Sequence, residues 1–306
     1  MQIKQKALGY VLIVAISLQS CTSSKFITLN FNPTVGKKYK HTVIIETTSN
    51  QEVMGQKVES KQNMTMYATY TITKSEEDKE LTVIYDRIIS QQSIIGKDYV
   101  IDTDAPDTMT ADNAKLQANI FNALKGKAFT VVLGKDGSVK AVKGFEETIN
   151  KVIAKVPSKG PESDAVVKMM KSMFGDTFIK SMFTQAFKIF PDKKVSVNSS
   201  WNNTMDIKTI FGLQFDNTVI LKSFDDKKAT LSIQSIINAV GDMELLGMKI
   251  NADLKGTANG TTEVERNTGM VLHSIFNQDI KGVIKMMGME VPMSIKQKTT
   301  IVGQPL

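Results

Sequence analysis

Cysteine, histidine, tryptophan and proline are all scarce in this chain of 306 residues, which has one Cys, two His, one Trp and seven Pro. A single Cys excludes a disulfide scaffold and any Cys-rich metal cluster. Two His leave little material for a His-based metal centre or a catalytic triad. Nucleophile, phosphate-loop and zinc signatures are missing as well. No catalytic residue, metal or cofactor is therefore expected. The basic residues are spread, and no basic patch interleaved with aromatics exists, which argues against nucleic acid as a partner. A formal charge of +7 predicts only mild attraction to anionic lipid headgroups. Two of those positive charges, Lys4 and Lys6, sit in the first segment.

That segment reads as an address. Lys4 and Lys6 precede an apolar run from Ala7 to Leu18. The run fits a secretory signal and is too short for a transmembrane helix, which needs about 20 residues. No other apolar run approaches that length, so no helix is expected to span a bilayer. The run ends in Leu18-Gln19-Ser20-Cys21, which resembles the lipobox of bacterial lipoproteins. The resemblance implies cleavage after residue 20 and acylation of Cys21, which then anchors the protein in a membrane through its acyl chains. Residues 21–25 read as a small, polar tether. Position 22 is Thr, not the Asp that retains some lipoproteins in the inner membrane. An outer-membrane location facing the periplasm is the expectation.

The rest, residues 26–306, reads as one β-rich domain. No Pro/Gly/Ser-rich linker interrupts it. Strands are expected over about 26–103 and 192–306, with helices around one hairpin at about 104–191. The fold class expected is α+β: a curved antiparallel sheet in two sequence halves, with the helical insertion packed on one face. Period-two alternation supports the strands. Met66, Ala68, Tyr70 and Ile72 share one face, as do Leu213, Phe215, Val219 and Leu221, and Leu231, Ile233 and Ile237. Helical stripes run through Phe178, Ile179, Met182, Phe183, Ala186, Phe187 and Phe190, through Ala165, Val166, Met169, Met170, Met173 and Phe174, and through Phe145, Ile149, Val152, Ile153 and Val156. A fourth, weaker helix spans residues 111–124. Lys135-Asp136-Gly137-Ser138 reads as a hairpin turn. Val53–Val58, Leu245–Ile250 and Met286–Val291 share one pattern around a Gly, and each reads as a hairpin tip.

Leu29 to Lys40, with Val35-Gly36 three residues before Tyr39, and Phe190 to Trp201 resemble an uncharacterised bacterial lipoprotein family whose members have no assigned activity. The resemblance implies a Val-Gly turn into a long strand, a helix ending before Pro191 and a strand opened by Trp201. A looser, fold-level analogy connects the order strands, helices, strands with periplasmic lipoprotein carriers.

Three residue groups invite chemistry. His41 and His273 fall on expected strands and read as surface or edge imidazoles. Asp102, Asp104, Asp107 and Asp112 could gather Ca²⁺, but the EF-hand spacing fails and a solvated loop is the better reading. Seventeen Met occur, clustered at Met169, Met170, Met173 and Met182 and at Met286, Met287, Met289 and Met293. Core filling, an adaptable lining for a greasy ligand, and Cu(I) ligation compete, in that order. The leading functional reading is a non-enzymatic, lipid-anchored envelope protein with a groove between sheet and helices. The groove would hold a lipid or another apolar ligand, and its expected lining is Met170, Met173, Met182, Phe183, Phe215, Val219 and Ile233. A structural or adaptor subunit with a filled core is the alternative, and an enzyme with illegible residues a remote third.

Acylation of Cys21 predicts that Cys21→Ser leaves the protein in the soluble fraction or uncleaved. Membrane fractionation and intact mass measure this, and unchanged partitioning of the variant would exclude the anchor.

Overall fold

Long alternating runs make long strands. A computed structural model of the chain describes residues 25–53, 55–94, 97–106, 112–134, 136–154, 175–207, 212–245 and 248–306. Within them β1 (Lys38–Val53), β2 (Gln56–Ser75) and β3 (Lys79–Ile94) run through three successive antiparallel neighbours. β4 (Lys97–Asp102) returns along the far half of β3, and β5 (Ala128–Leu133) and β6 (Val139–Lys143) extend the near half. The second set is β7 (Ser200–Ile207), β8 (Leu213–Phe224), β9 (Lys228–Leu245), β10 (Met248–Glu265), β11 (Val271–Met286) and β12 (Met289–Pro305).

All of these belong to one 12-stranded antiparallel sheet ordered β6-β5-β3-β2-β1-β12-β11-β10-β9-β8-β7, with β4 on β3. The seam between the two sequence halves is β1 against β12, in register from Tyr39 opposite Pro305 to Gln51 opposite Met293. All three Gly-centred repeats join paired strand ends: Val53 faces Gln56, Leu245 faces Met248, and Met286 faces Met289.

The expected α+β class is overturned. Strand makes up 65% and helix 13%, the latter in three short helices among the described residues. These are α1 (Asp112–Leu124), α2 (Phe145–Ile153) and α3 (Asp176–Phe187). The imbalance has a physical origin. Six of the strands reach 16–18 residues and β2 reaches 20, against about five or six in an ordinary strand. The helical segment itself gives two of its pieces, β5 and β6, to the sheet. The second expected helix, with Met169, Met170 and Met173, lies outside the described residues, as does the side chain of Phe178.

Strand registers put the tips of β1–β2, β9–β10 and β11–β12 at one end of the sheet, and the β2–β3, β8–β9 and β10–β11 turns at the other. A stretch before β1 crosses that second end. Ile27 pairs with Val195, and the Asn32 amide donates to Thr268 O at 2.9 Å. Ile27, Leu29 and Phe31 are buried by this path.

α3 meets the β6 and β7 edges of the sheet. On the β6 side, the Val139 amide donates to Thr184 Oγ1 at 3.2 Å. The β5–β6 turn comes so near that a Cβ on Gly137, whose φ is +78°, would lie 2.2 Å from Phe187 O. On the β7 side, Asn203 Nδ2 donates to Lys188 O at 2.9 Å and Trp201 Nε1 to Ile189 O at 3.0 Å. The apolar stripe of α3 points inward: Ile179, Phe183 and Phe187 are buried. Phe187 stacks on Phe183 and lies 4.5 Å from Phe31 between ring centroids. α1 and α2 cover β3 and β5 with Leu116, Ile120, Phe121, Phe145 and Ile149.

Because Phe187 joins α3 to both the Phe31 stretch and the core, Phe187→Ala should cost about 3–5 kcal/mol. Urea denaturation measures it, and a loss under about 1 kcal/mol, the range of exposed sites, would mean that α3 does not hold the edges.

Candidate functional site

Curvature of the sheet brings β1, β2 and β3 to face β7, β8 and β9 across an enclosed space, with α3 between. The result is a cavity of about 400 Å³. From the first half it is lined by His41, Val43 and Ile45 of β1, Met66, Ala68 and Tyr70 of β2, and Tyr85 of β3. α3 contributes Met182, Phe183, Ala186 and Phe187. The second half contributes Met205 and Ile207 of β7, Leu213, Phe215 and Val219 of β8, Ile233 of β9 and Phe276 of β11. Of the seven residues expected to line a groove, the structure brings Met182, Phe183, Phe215, Val219 and Ile233 to this one cavity. Met170 and Met173 lie outside the described residues, as does Cys21.

Polar groups in the wall follow a pattern that only the register reveals. Asn203, Asn217, Ser235, Ala258, Gln278, Gln297, Thr47, Gln62 and Gln92 are successive cross-strand partners. They form one transverse row across the inner face. Apolar rows flank it in the second half. Val219, Ile233 and Phe276 lie on one side, and Phe215, Ile237, Ile280 and Ile295 on the other.

Part of the row is satisfied internally. Ser235 Oγ donates to Asn217 Oδ1, Asn217 Nδ2 donates to Asn203 Oδ1 at 2.8 Å, and Asn203 passes its own donor to Lys188 O. Gln92 Nε2 donates to Gln117 Oε1 of α1 at 3.1 Å. Gln297 Oε1 accepts from Thr47 Oγ1 at a long 3.4 Å, and its Nε2 donates to Thr299 Oγ1 at 3.3 Å. Gln278 makes no side-chain hydrogen bond among the described residues, and it lines the cavity. Sequence reasoning missed this row. Its only trace was an Asn, Ser, Gln or Thr interrupting the inward series of every strand in the row but β10, which has Ala258, as Asn217 does between Phe215 and Val219.

His41 is a correction. It is neither a surface nor an edge group but 3% exposed, on an interior strand and in the cavity wall. The alternation Tyr39, His41, Val43, Ile45 puts it inside. Nε2 donates to Val271 O at 2.9 Å, which leaves Nδ1 as a buried acceptor with no partner. The ring fits because β12 has Gly303 opposite, where a Cβ would lie 2.4 Å from Nε2. Tyr70 meets the imidazole edge-on at 4.4 Å. Burial disfavours the charged imidazolium and lowers the His41 pKa below 6.5; the Val271 carbonyl opposes this more weakly. Burial likewise raises the Tyr70 and Tyr85 phenols far out of the physiological range. The wall is therefore uncharged at neutral pH. Among the described lining residues none is Asp, Glu, Lys or Arg.

His273, by contrast, is exposed. Of the acidic stretch, Asp102 accepts from Arg87 Nε at 2.9 Å and Asp104 pairs with Arg87 and Lys125, while Asp107 and the side chain of Asp112 lie outside what is described. Among the methionines, Met287 is exposed at a hairpin tip while Met182 faces the cavity. A second hollow of about 530 Å³ lies across the outer face, lined by Glu46, Lys61, Asp279, Lys296, Lys298 and neighbours, and Thr47, Gln278 and Gln297 of the polar row border it as well. Its charges are of both signs and solvated, as in the 3.5 Å Lys298–Glu46 pair, so its size carries less meaning than the chemistry of the inner cavity.

The chain belongs to a family of unknown function, DUF6263. The match runs over residues 76–271, from just before β3 to the start of β11. It includes Phe190 to Trp201, while Leu29 to Lys40 precedes it. No curated protein matches the chain. Among solved structures, one describing lipid–protein interactions in lipovitellin is similar, with a TM-score of 0.50 and 7% identity over 89% of this chain and 25% of that one. The chain thus spans a quarter of the lipovitellin chain, and the likeness concerns fold alone. OccK7 of Pseudomonas aeruginosa reaches a TM-score of 0.24 at 6% identity, covering 89% of this chain and 100% of its own. The β domain of the Bordetella autotransporter BrkA reaches 0.26 at 7%, covering 88% and 99%. Neither score supports an argument.

The His41 environment has a pH signature. Above pH 6.5 the imidazole is neutral in both folded and unfolded chains, and its contribution is constant. Below it, the unfolded chain binds a proton that the folded chain refuses, so stability falls as pH falls. A His41→Gln variant should lose less stability than the parent on acidification below pH 6.5. Denaturant melts across pH check this, and parallel curves would show that His41 is solvated.

Proposed function

We propose that this protein is a lipid-anchored component of the cell envelope that binds an apolar ligand, a lipid hydrocarbon chain, in the cavity between sheet and α3. The observation that carries the reading is the uncharged, largely hydrocarbon wall around a space of about 400 Å³, within the range of about 300–1,000 Å³ typical of ligand sites. Burying each methylene there is worth about 0.8 kcal/mol. The adaptor reading expects a filled core at this place, and the cavity counts against it. Binding without catalysis agrees with a wall whose ionisable groups are one neutral imidazole and buried phenols. Lipid is also what the lipovitellin structure of similar fold was described with. The anchor and the envelope location rest on the Lys4–Cys21 segment. Acyl chains on Cys21 would hold the cavity near the membrane that supplies its ligand.

The test uses the full-length Cys21→Ser protein and a fluorescent naphthyl probe. Saturable binding tighter than about 50 μM, about −6 kcal/mol, is expected. Ala186→Trp, which fills the cavity from α3, should abolish it while the melting curve keeps its cooperativity. Absence of saturable binding by the folded parent overturns the reading.

A further inference from the structure

The cavity is not uniformly greasy: besides the Nδ1 acceptor of His41 and the Gln185 amide of α3, it is lined by two glutamines placed where a ligand's own polar group would sit. Gln278 and Gln297 are paired across β11 and β12 midway along the wall. Val219, Ile233 and Phe276 lie on one side of their row, with Met205, Phe215 and Ile207 on the other, and all of these residues line the same cavity. A pure hydrocarbon would leave the Gln278 amide without a partner in an apolar enclosure, which costs about 1–3 kcal/mol by mutational scales. An ionised carboxylate or phosphate would fare worse, because no Lys or Arg is found among the described lining residues. A glutamine amide suits an uncharged group: its NH₂ donates to an ester carbonyl and its oxygen accepts from a hydroxyl.

We propose that the ligand is an uncharged lipid ester whose ester or hydroxyl group bonds to Gln278 and Gln297, with hydrocarbon on the apolar rows to either side. The inference rests on the cavity-binding reading and narrows it to neutral acylglycerol-type lipids, as opposed to fatty acids and charged phospholipid headgroups. The satisfied Ser235–Asn217–Asn203 chain at the β7 end of the row is structural. On the β11–β12 pair Gln278 has no side-chain partner among the described residues and Gln297 is held only by long bonds to Thr47 and Thr299.

Displacement of the naphthyl probe from full-length Cys21→Ser protein decides the point. At neutral pH, dioctanoylglycerol should displace it at concentrations about tenfold lower than palmitate does, a difference of about 1.4 kcal/mol. Gln278→Leu with Gln297→Leu should keep probe binding and lose the preference. Equal displacement by palmitate, or a preference that survives the double variant, overturns the assignment while the cavity reading stands. Failure of the probe to bind the parent overturns both. If the double variant does not fold, the parent's ratio of ester to carboxylate decides alone.

Discussion

The structure depends on one bridging element. The main run of the sheet ends at β6 and β7, while β4 makes a further edge beside β3. Unpaired edges expose backbone donors and acceptors and let the sheet flatten or pair with another chain. α3 and the residues just after it occupy the β6 and β7 edges at once. Thr184 takes the Val139 amide, and the carbonyls of Lys188 and Ile189 take the side chains of Asn203 and Trp201. Helix bonding leaves those C-terminal carbonyls unsatisfied, so the same groups that end the helix fasten it to the sheet. Everything else about the interior, including the volume enclosed, follows from the edges being held at that distance.

How the interior came to be legible is uneven. Alternation alone assigned Met66, Ala68, Phe215, Val219 and Ile233 to an inner face, and helical spacing did the same for Met182 and Phe183; the cavity draws on both sets. The proportion of strand to helix was not legible, because nothing local in β2 or β9 says that a strand of 18 or 20 residues will not stop after six. His41 was misplaced for a related reason. An isolated imidazole between Lys40 and Thr42 looks peripheral until β1 is known to be an interior strand, paired on both sides. The polar row is invisible by construction. Each strand of the row except β10 contributes one interruption, and only the register shows that eight of them line up.

The wall also separates two ways of handling buried polarity. Asn217 is almost fully buried and fully engaged through Ser235 and Asn203, which is how an interior amide is made harmless. The buried Nδ1 atom of His41 has no partner, and the half-buried Gln278 has no side-chain one among the described residues. Folding tolerates them at a cost in stability. Such costs in native proteins concentrate where something other than stability is being served.

The seam of the sheet sets an order on biogenesis. β1 is the first strand and β12 the last, yet they lie side by side, pairing Tyr39 with Pro305 and His41 with Gly303. Until β12 emerges, the β1–β3 wing and the β7–β11 wing have no strand in common, and the His41 side of the cavity lacks its neighbour. Contacts of such sequence separation form slowly. A sheet whose central pairing must wait for β12 keeps its two wings unjoined until that strand is made.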